Sequence, residues 1–351
     1  MHTSTDRSPL FHKQTVVFLA FVLFLSFLTY FFRYTEPPRV FWDENYHIAS
    51  AQKYLNGVYF MEQHPPLGKL LIALGEKLLS PNERTDQFLG TDYAADFSDD
   101  FSFAGYRLFS ALLGWLTAPL LFLIFLYITR NSLFAALLSF LYIFDNALLV
   151  HIRGAMLEGP LMFFCALMVL AYFLLLEYGE RPRRFAWLSL LFGVSFGLVA
   201  TTKLFGLAMI LFLPAYLYTL LPHWKRIAKA TALFSVGFLA VYCSVWYIHF
   251  ALGKTIQPTL PDNGFYQASD AYKTVIAEGR TASLLAFPVM LRDSIRYVPF
   301  YNRGAPRLDL CKADENGSPF YLWPLGARSI NYRWETPDGT EYRYLYLQSN
   351  P

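Results

Sequence analysis

Trp42-Asp43-Glu44 and, about twenty residues later, His64-Pro65-Pro66-Leu67-Gly68-Lys69 bring together the residue types for proton transfer beside an anion. A carboxylate can take the proton of a weakly acidic hydroxyl. A helix opening after two prolines offers free backbone N–H groups to an anion. Lys69 falls in the first turn of that helix, where a cation opposes the macrodipole at a cost of a few tenths of a kcal/mol. The opposition vanishes once an anion binds there, so the misplaced charge points to phosphate. Arg107, Arg153 with Glu158, and Lys203 stand at the ends of other apolar segments and complete a candidate set. In it, Asp43 and Glu44 act on protons or hydroxyls, the four cations contact phosphate, and His64 assists. The plainer alternatives are solvated helix-end charges, snorkelling cations and a histidine that holds its turn by hydrogen bonding.

The elements that position these residues are set by composition. With 55% hydrophobic and 19% aromatic residues and a mean hydropathy of +0.32, the chain exceeds what a soluble core needs. Apolar windows of membrane-spanning length fall near 14–32, 105–128, 133–150, 157–176, 186–202, 204–221 and 231–252. The first reads as a retained signal anchor, because no small-residue cleavage site follows it. Arg7 and Lys13, Arg130, the Arg181–Arg184 group, and Lys225 with Arg226 and Lys229 all fall on one face, which the positive-inside rule makes cytoplasmic. The opposite, extracytoplasmic face receives residues 33–103, the turns at Arg153 and Lys203, and 253–351. The expected architecture is an all-α polytopic membrane protein: a bundle over 1–252 with its catalytic outer loop at 33–103, and an irregular outer tail over 253–351. Within that loop, 44–55 predicts a short interfacial helix and Leu67, Leu70, Leu71, Leu74 and Leu78 a second amphipathic one. Leu284 to Leu291 is too short to cross a bilayer and reads as interfacial or re-entrant.

Other classes are disfavoured. The net charge of +3 reflects the clusters on one face and suggests no nucleic-acid partner, three scattered cysteines imply no disulfide framework, and no metal-spaced or glycine-rich phosphate motif is present. A transporter tends to carry ionisable groups near the membrane midplane; here only Asp145 lies well inside a window.

Phe41-Trp42-Asp43-Glu44, Tyr54 through Phe60 and His64 through Lys69 closely resemble the first lumenal loop of the protein O-mannosyltransferases, dolichyl-phosphate-mannose-dependent enzymes of the GT-C class. Arg107 with Ser110–Gly114, Phe144-Asp145-Asn146 with Arg153 and Leu157-Glu158, and Thr202 through Gly206 are similar to that family's helix-end motifs. Ser318 through Leu325, Ile330-Asn331-Tyr332 and Tyr346 through Pro351 resemble its outer-loop motif. The resemblance implies a GT-C-like bundle of the prokaryotic type, without the lumenal insert of eukaryotic members, that in the family continues into further membrane helices. It also implies a polyprenyl-phosphate sugar donor and no dedicated metal or cofactor, while a loosely bound divalent cation is compatible with it. Glu158 stands where the family often has aspartate.

A lipid monophosphate sugar already has a good leaving group. What remains is to deprotonate an acceptor hydroxyl and stabilise charge on the departing phosphate. Asp43 is the expected base for an inverting displacement, with Glu44 and Glu158 orienting hydroxyls and Lys69, Arg107, Arg153 and Lys203 facing phosphate. Trp323, with other tail aromatics, offers a stacking surface for acceptor or sugar, or simply an interfacial anchor. Protein, glycan and lipid acceptors are not distinguished by these residues, and a prokaryotic chain of this kind belongs in the plasma membrane.

Overall fold

A computed structural model describes residues 13–257, 268–303, 308–312, 315–335 and 343–347. Arg7 and the Gln348–Pro351 motif lie outside the described residues.

Among the described residues, five helices are long and apolar enough to cross a membrane: α1 (Lys13–Ser26, continued by a π-helical turn Phe27–Phe31), α4 (Ala104–Thr129), α7 (Glu158–Tyr178), α8 (Pro182–Thr202) and α10 (Trp224–Leu252). Two of the seven expected windows differ. The 133–150 window breaks into α5 (Ser132–Ile143) and α6 (Asn146–Ile152), bent by 62°. Asp145 causes the break locally: its backbone is extended and its Oδ1 accepts the Leu148 N–H at 2.8 Å, starting a new helix. The residue that looked like a charge inside a span is therefore a helix cap. The 204–221 window forms a 3-10 helix (Leu204–Leu211) followed by α9 (Phe212–Thr219). Its 3-10 half rises about 2 Å per residue, so the short segment still reaches about 28 Å.

Helix α8 packs on α10 and α7, and α4 on α7, α5 and α3 (Leu67–Leu79). Glycine permits one of these approaches where the site is built: a Cβ on Gly159 would stand 2.3 Å from the Ser110 carbonyl oxygen, so α7 lies directly against α4. Arg130–Glu177 and Arg226–Glu180 pairs mark one end of the bundle. The 33–103 loop, the 145–158 turn, Lys203 and the tail gather at the other.

At that end, α2 (Glu44–Leu55) and α3 (Leu67–Leu79) match the expected helices. Helix α3 is amphipathic, with Leu74, Leu78 and Leu79 exposed. Helix α2 is not a surface helix but is buried along most of its length. The reason is the segment 86–103, which folds over it: Asn45 exchanges hydrogen bonds with Ala94, and Gln52 Oε1 accepts the Phe88 N–H. Phe88, Ala94, Phe101 and Phe103 join Ile48, Ala49 and Tyr54 in one core. In the tail, α11 (Asp270–Ala277) and α12 (Phe287–Arg303) pack against each other. A hairpin follows in place of the expected irregular chain, pairing β1 (Ile330–Glu335) with β2 (Arg343–Leu347), antiparallel, with a register irregularity between Asn331 and Arg333.

Candidate functional site

Glu44 and Arg107 are both completely buried, and the pair uses every polar atom it has. Arg107 Nε and Nη2 donate to the Glu44 carboxylate at 2.7 and 2.8 Å. The other three N–H groups donate to the carbonyls of Thr35, Pro37 and Arg39, which exhausts the five donors of a guanidinium. Phe41 and Phe103 flank it at 5.0 and 4.5 Å. Glu44 also accepts the N–H groups of Phe41 and Ala155. This geometry corrects two expectations. Arg107 has no donor left for a phosphate, and Glu44 has no exposed oxygen for a hydroxyl; together they tie the 35–44 loop to α4 and to the turn before α7.

Arg153 also differs from expectation. Its guanidinium donates to the carbonyls of Thr29 and Phe32 at 3.2 Å and to that of Arg33, closing the C-terminal end of the first span, where carbonyls lack helical partners.

Asp43 is accessible to water and leads into α2, its carbonyl accepting the Tyr46 and His47 N–H groups. The preceding Trp42 sits at φ +49°, a left-handed conformation that costs a bulky residue on the order of 1 kcal/mol. Compensation comes from Tyr332 of β1: its ring stacks on Trp42 with centroids 4.8 Å apart and planes at 5°, and its carbonyl accepts the Trp42 N–H. The strained residue thus aims Asp43. Surrounding protein, then the charge of Glu158, raises the Asp43 carboxyl above its ordinary value, against the opposing pull of His151, Lys203 and Lys69.

Beside Asp43 runs a hydrogen-bonded chain. Lys203 Nζ pairs with Glu158 Oε1, and Glu158 Oε2 meets His151 Nε2 at 2.8 Å. His151 Nδ1 in turn bonds the Tyr332 hydroxyl. Lys203 and Glu158 side chains keep 28% and 26% of their surface exposed, so this pair is open to a ligand where Glu44–Arg107 is not. Among the described residues Lys203 has no further hydrogen-bond partner, leaving two ammonium N–H groups available.

Lys69 is held differently. It is buried, donating to Ser50 Oγ at 3.0 Å and to Glu62. Burial alone would raise Glu62, but the Lys69 charge and hydrogen bond, with His64 and His47, outweigh it and bring the carboxyl down to about 2. Burial and then, among the cations, Lys69 lower His64 to about 4, despite Glu62. It makes no hydrogen bond to a described residue, and so does not hold its turn that way. His47 is buried against Lys69 and lowered to about 3; its Nδ1–H donates to the Ala155 carbonyl at 2.7 Å.

Trp323 lies apart from this group, donating to the Ser318 carbonyl and lining a cavity of about 320 Å³ with Asp145, Leu148 and Ile330. That cavity adjoins the site through α6 and β1. Among the described residues no cluster of three or more His, Cys, Asp or Glu suited to a metal ion occurs.

Sequence reading missed Glu62, His151 and Tyr332. A signal existed for the first two, Glu62 lying two residues before His64 and His151 two before Arg153. Tyr332 stands in the Ile330-Asn331-Tyr332 motif and an alternating strand pattern, neither of which gave it a role in the site.

Residues 20–255 match the family model described as dolichyl-phosphate-mannose-protein mannosyltransferase. Protein O-mannosyl-transferase 2 of Danio rerio is 30% identical over 271 residues, covering 72% of this chain and 34% of that protein. Dolichyl-phosphate-mannose–protein mannosyltransferase 5 of Candida albicans is 31% identical over 247 residues, covering 65% and 32%. The chain thus spans about a third of the length of these curated relatives. Its fold is similar to a chain of the S. cerevisiae protein O-mannosyltransferase Pmt1-Pmt2 complex bound to the sugar donor, with a TM-score of 0.65 at 23% identity over 75% of this chain and 37% of that one. With its matched residues running from the first span to just beyond α10, and taking in Asp43, Lys69, His151, Glu158 and Lys203, the chain belongs to the dolichyl-phosphate-mannose-protein mannosyltransferase family.

Proposed function

We propose that the rim around Asp43 transfers a sugar, mannose by family, from a polyprenyl-phosphate donor to a protein Ser or Thr hydroxyl with inversion. Asp43 takes the hydroxyl proton as the acceptor oxygen attacks the anomeric carbon. The bond from that carbon to the phosphate oxygen breaks, and its electron pair stays on the phosphate, whose growing charge faces Lys203. The observation that carries the reading is the water-accessible Asp43 with a raised carboxyl beside an open Glu158–Lys203 pair. A raised value makes it a stronger base than an ordinary carboxylate, and places the acid limb of activity above 3.8. Lys69 supports the site from behind, its charge reaching Asp43, and Glu158 orients Lys203. The reading uses no resident metal ion.

The basic groups at Arg130, Arg181–Arg184 and Lys225–Lys229 favour a cytoplasmic location for the opposite end. The rim then opens to the extracytoplasmic side, that of the plasma membrane in a prokaryotic host.

Asp43→Asn keeps the shape and removes the base. In membranes carrying the complete protein, transfer from labelled polyprenyl-phosphate mannose to protein falls by about a hundredfold or more. Transfer near the wild-type rate rejects Asp43 as the base.

A further inference from the structure

We propose that Tyr332 is a positioning residue for the donor phosphate, acting through His151 and Glu158 to fix where the Lys203 ammonium stands. The inference rests on the functional reading above and adds to it a residue of the tail, outside the family-matched 20–255 segment.

The argument is one of hydrogen-bond valence. A neutral imidazole has one N–H and one lone pair, and the partner of one nitrogen decides the state of the other. Tyr332 is buried, and burial, then the charges of Glu158 and Asp43, keep its phenol protonated. With a neutral imidazole whose Nε2 faces the accepting Glu158 carboxylate, the Tyr332 O–H is the donor to His151 Nδ1. The single imidazole N–H is then on Nε2, pointing at Glu158 Oε2 2.8 Å away. With that oxygen fixed, the other oxygen of Glu158 holds Lys203. Without the Tyr332 hydroxyl, Nδ1 loses its donor and the Nε2–H tautomer rests on Glu158 alone, so the ring and the carboxylate it holds are less firmly fixed. Glu158 can then turn and take the ammonium with it.

The tail strand is itself docked on the site. Tyr332 stacks on Trp42, the residue before Asp43, and packs with Phe41 and Met156. One residue thus touches the segment carrying the base and, through two intermediates, the cation. A purely structural role for the ring is the competing account, and it concerns the stacked face rather than the hydroxyl.

The test uses the complete protein in nanodiscs, titrated with polyprenyl-phosphate mannose, and reads the dissociation constant. Tyr332→Phe retains the stacked ring and removes the hydroxyl; donor binding weakens about fivefold to tenfold. His151→Gln supplies an amide N–H to Glu158 with no tautomer to select, so in that background Tyr332→Phe adds nothing further. Donor binding untouched by Tyr332→Phe, or an equal loss from it in both backgrounds, overturns the inference alone. Wild-type protein that binds no donor overturns the functional reading, and this inference with it.

Discussion

Two carboxylate–cation pairs stand at the same end of the bundle and differ in every respect that matters to a ligand. Glu44–Arg107 has no exposed surface, and its five guanidinium donors and both carboxylate oxygens are spent within the protein. Glu158–Lys203 keeps about a quarter of its surface exposed and, among the described residues, two ammonium donors without a partner. Charge type and nearness to a helix end are the same in both. Valence and access separate the pair that builds the site from the pair that can act in it.

The largest effect should come from breaking the closed pair. Arg107→Met leaves the Glu44 carboxylate buried without its partner, a loss of about 3–5 kcal/mol. Thermal unfolding of the purified protein should show a strongly lowered midpoint or no folded material. A variant that melts normally but binds donor poorly would place Arg107 with the open cations. Lys203→Ala should do the opposite, changing stability by less than about 1 kcal/mol while weakening donor binding by about tenfold. Equal donor affinity in titrations would remove Lys203 from the phosphate.

A third, buried group sharpens the comparison through pH. Glu62 sits at about 2 rather than 4.5, so its contribution to stability is complete above 4.5 and is lost as pH falls toward 2. His47 sits at about 3 rather than 6.5 and must stay neutral in the fold, so its contribution is complete above 6.5 and declines from there toward 3. Melting temperature should accordingly start to fall below about pH 6.5 and steepen below about 4.5. In His47→Gln the decline between 6.5 and 4.5 should become shallower, with the lowered His64 keeping part of it; a profile identical to wild type would show that His47 is not linked to folding.

Local signals were legible in the sequence and long-range ones were not. The 44–55 helix was readable because its apolar spacing and flanking turns are local, and the prolines at 65 and 66 marked the start of α3. Burial of α2 depends on the 86–103 segment, whose path no periodicity encodes. Asp43, Lys203 and Glu158 were singled out by type and position. The split between scaffold and site was not, because Arg107 meets its carboxylate 63 residues away and three of its partners are backbone carbonyls. The hairpin was within reach: Ile330, Tyr332 and Trp334 alternate with polar residues, and Pro337-Asp338-Gly339 is a turn sequence.

The smallest effect tests where Arg153 belongs. Its guanidinium meets three carbonyls at the end of the first span, two of them at 3.2 Å, and a cation there also favours the helix dipole. Each such contact is modest and partly replaced by water when lost, so Arg153→Gln should cost about 1 kcal/mol of stability. Because the groups it satisfies are carbonyls of the π-helical turn and the two residues after it, the loss should appear in the melting midpoint and leave donor affinity alone. A clear weakening of donor binding with an unshifted midpoint would instead move Arg153 beside Lys203, and the distinction between closed and open cations would then have to be drawn by exposure rather than by filled valence.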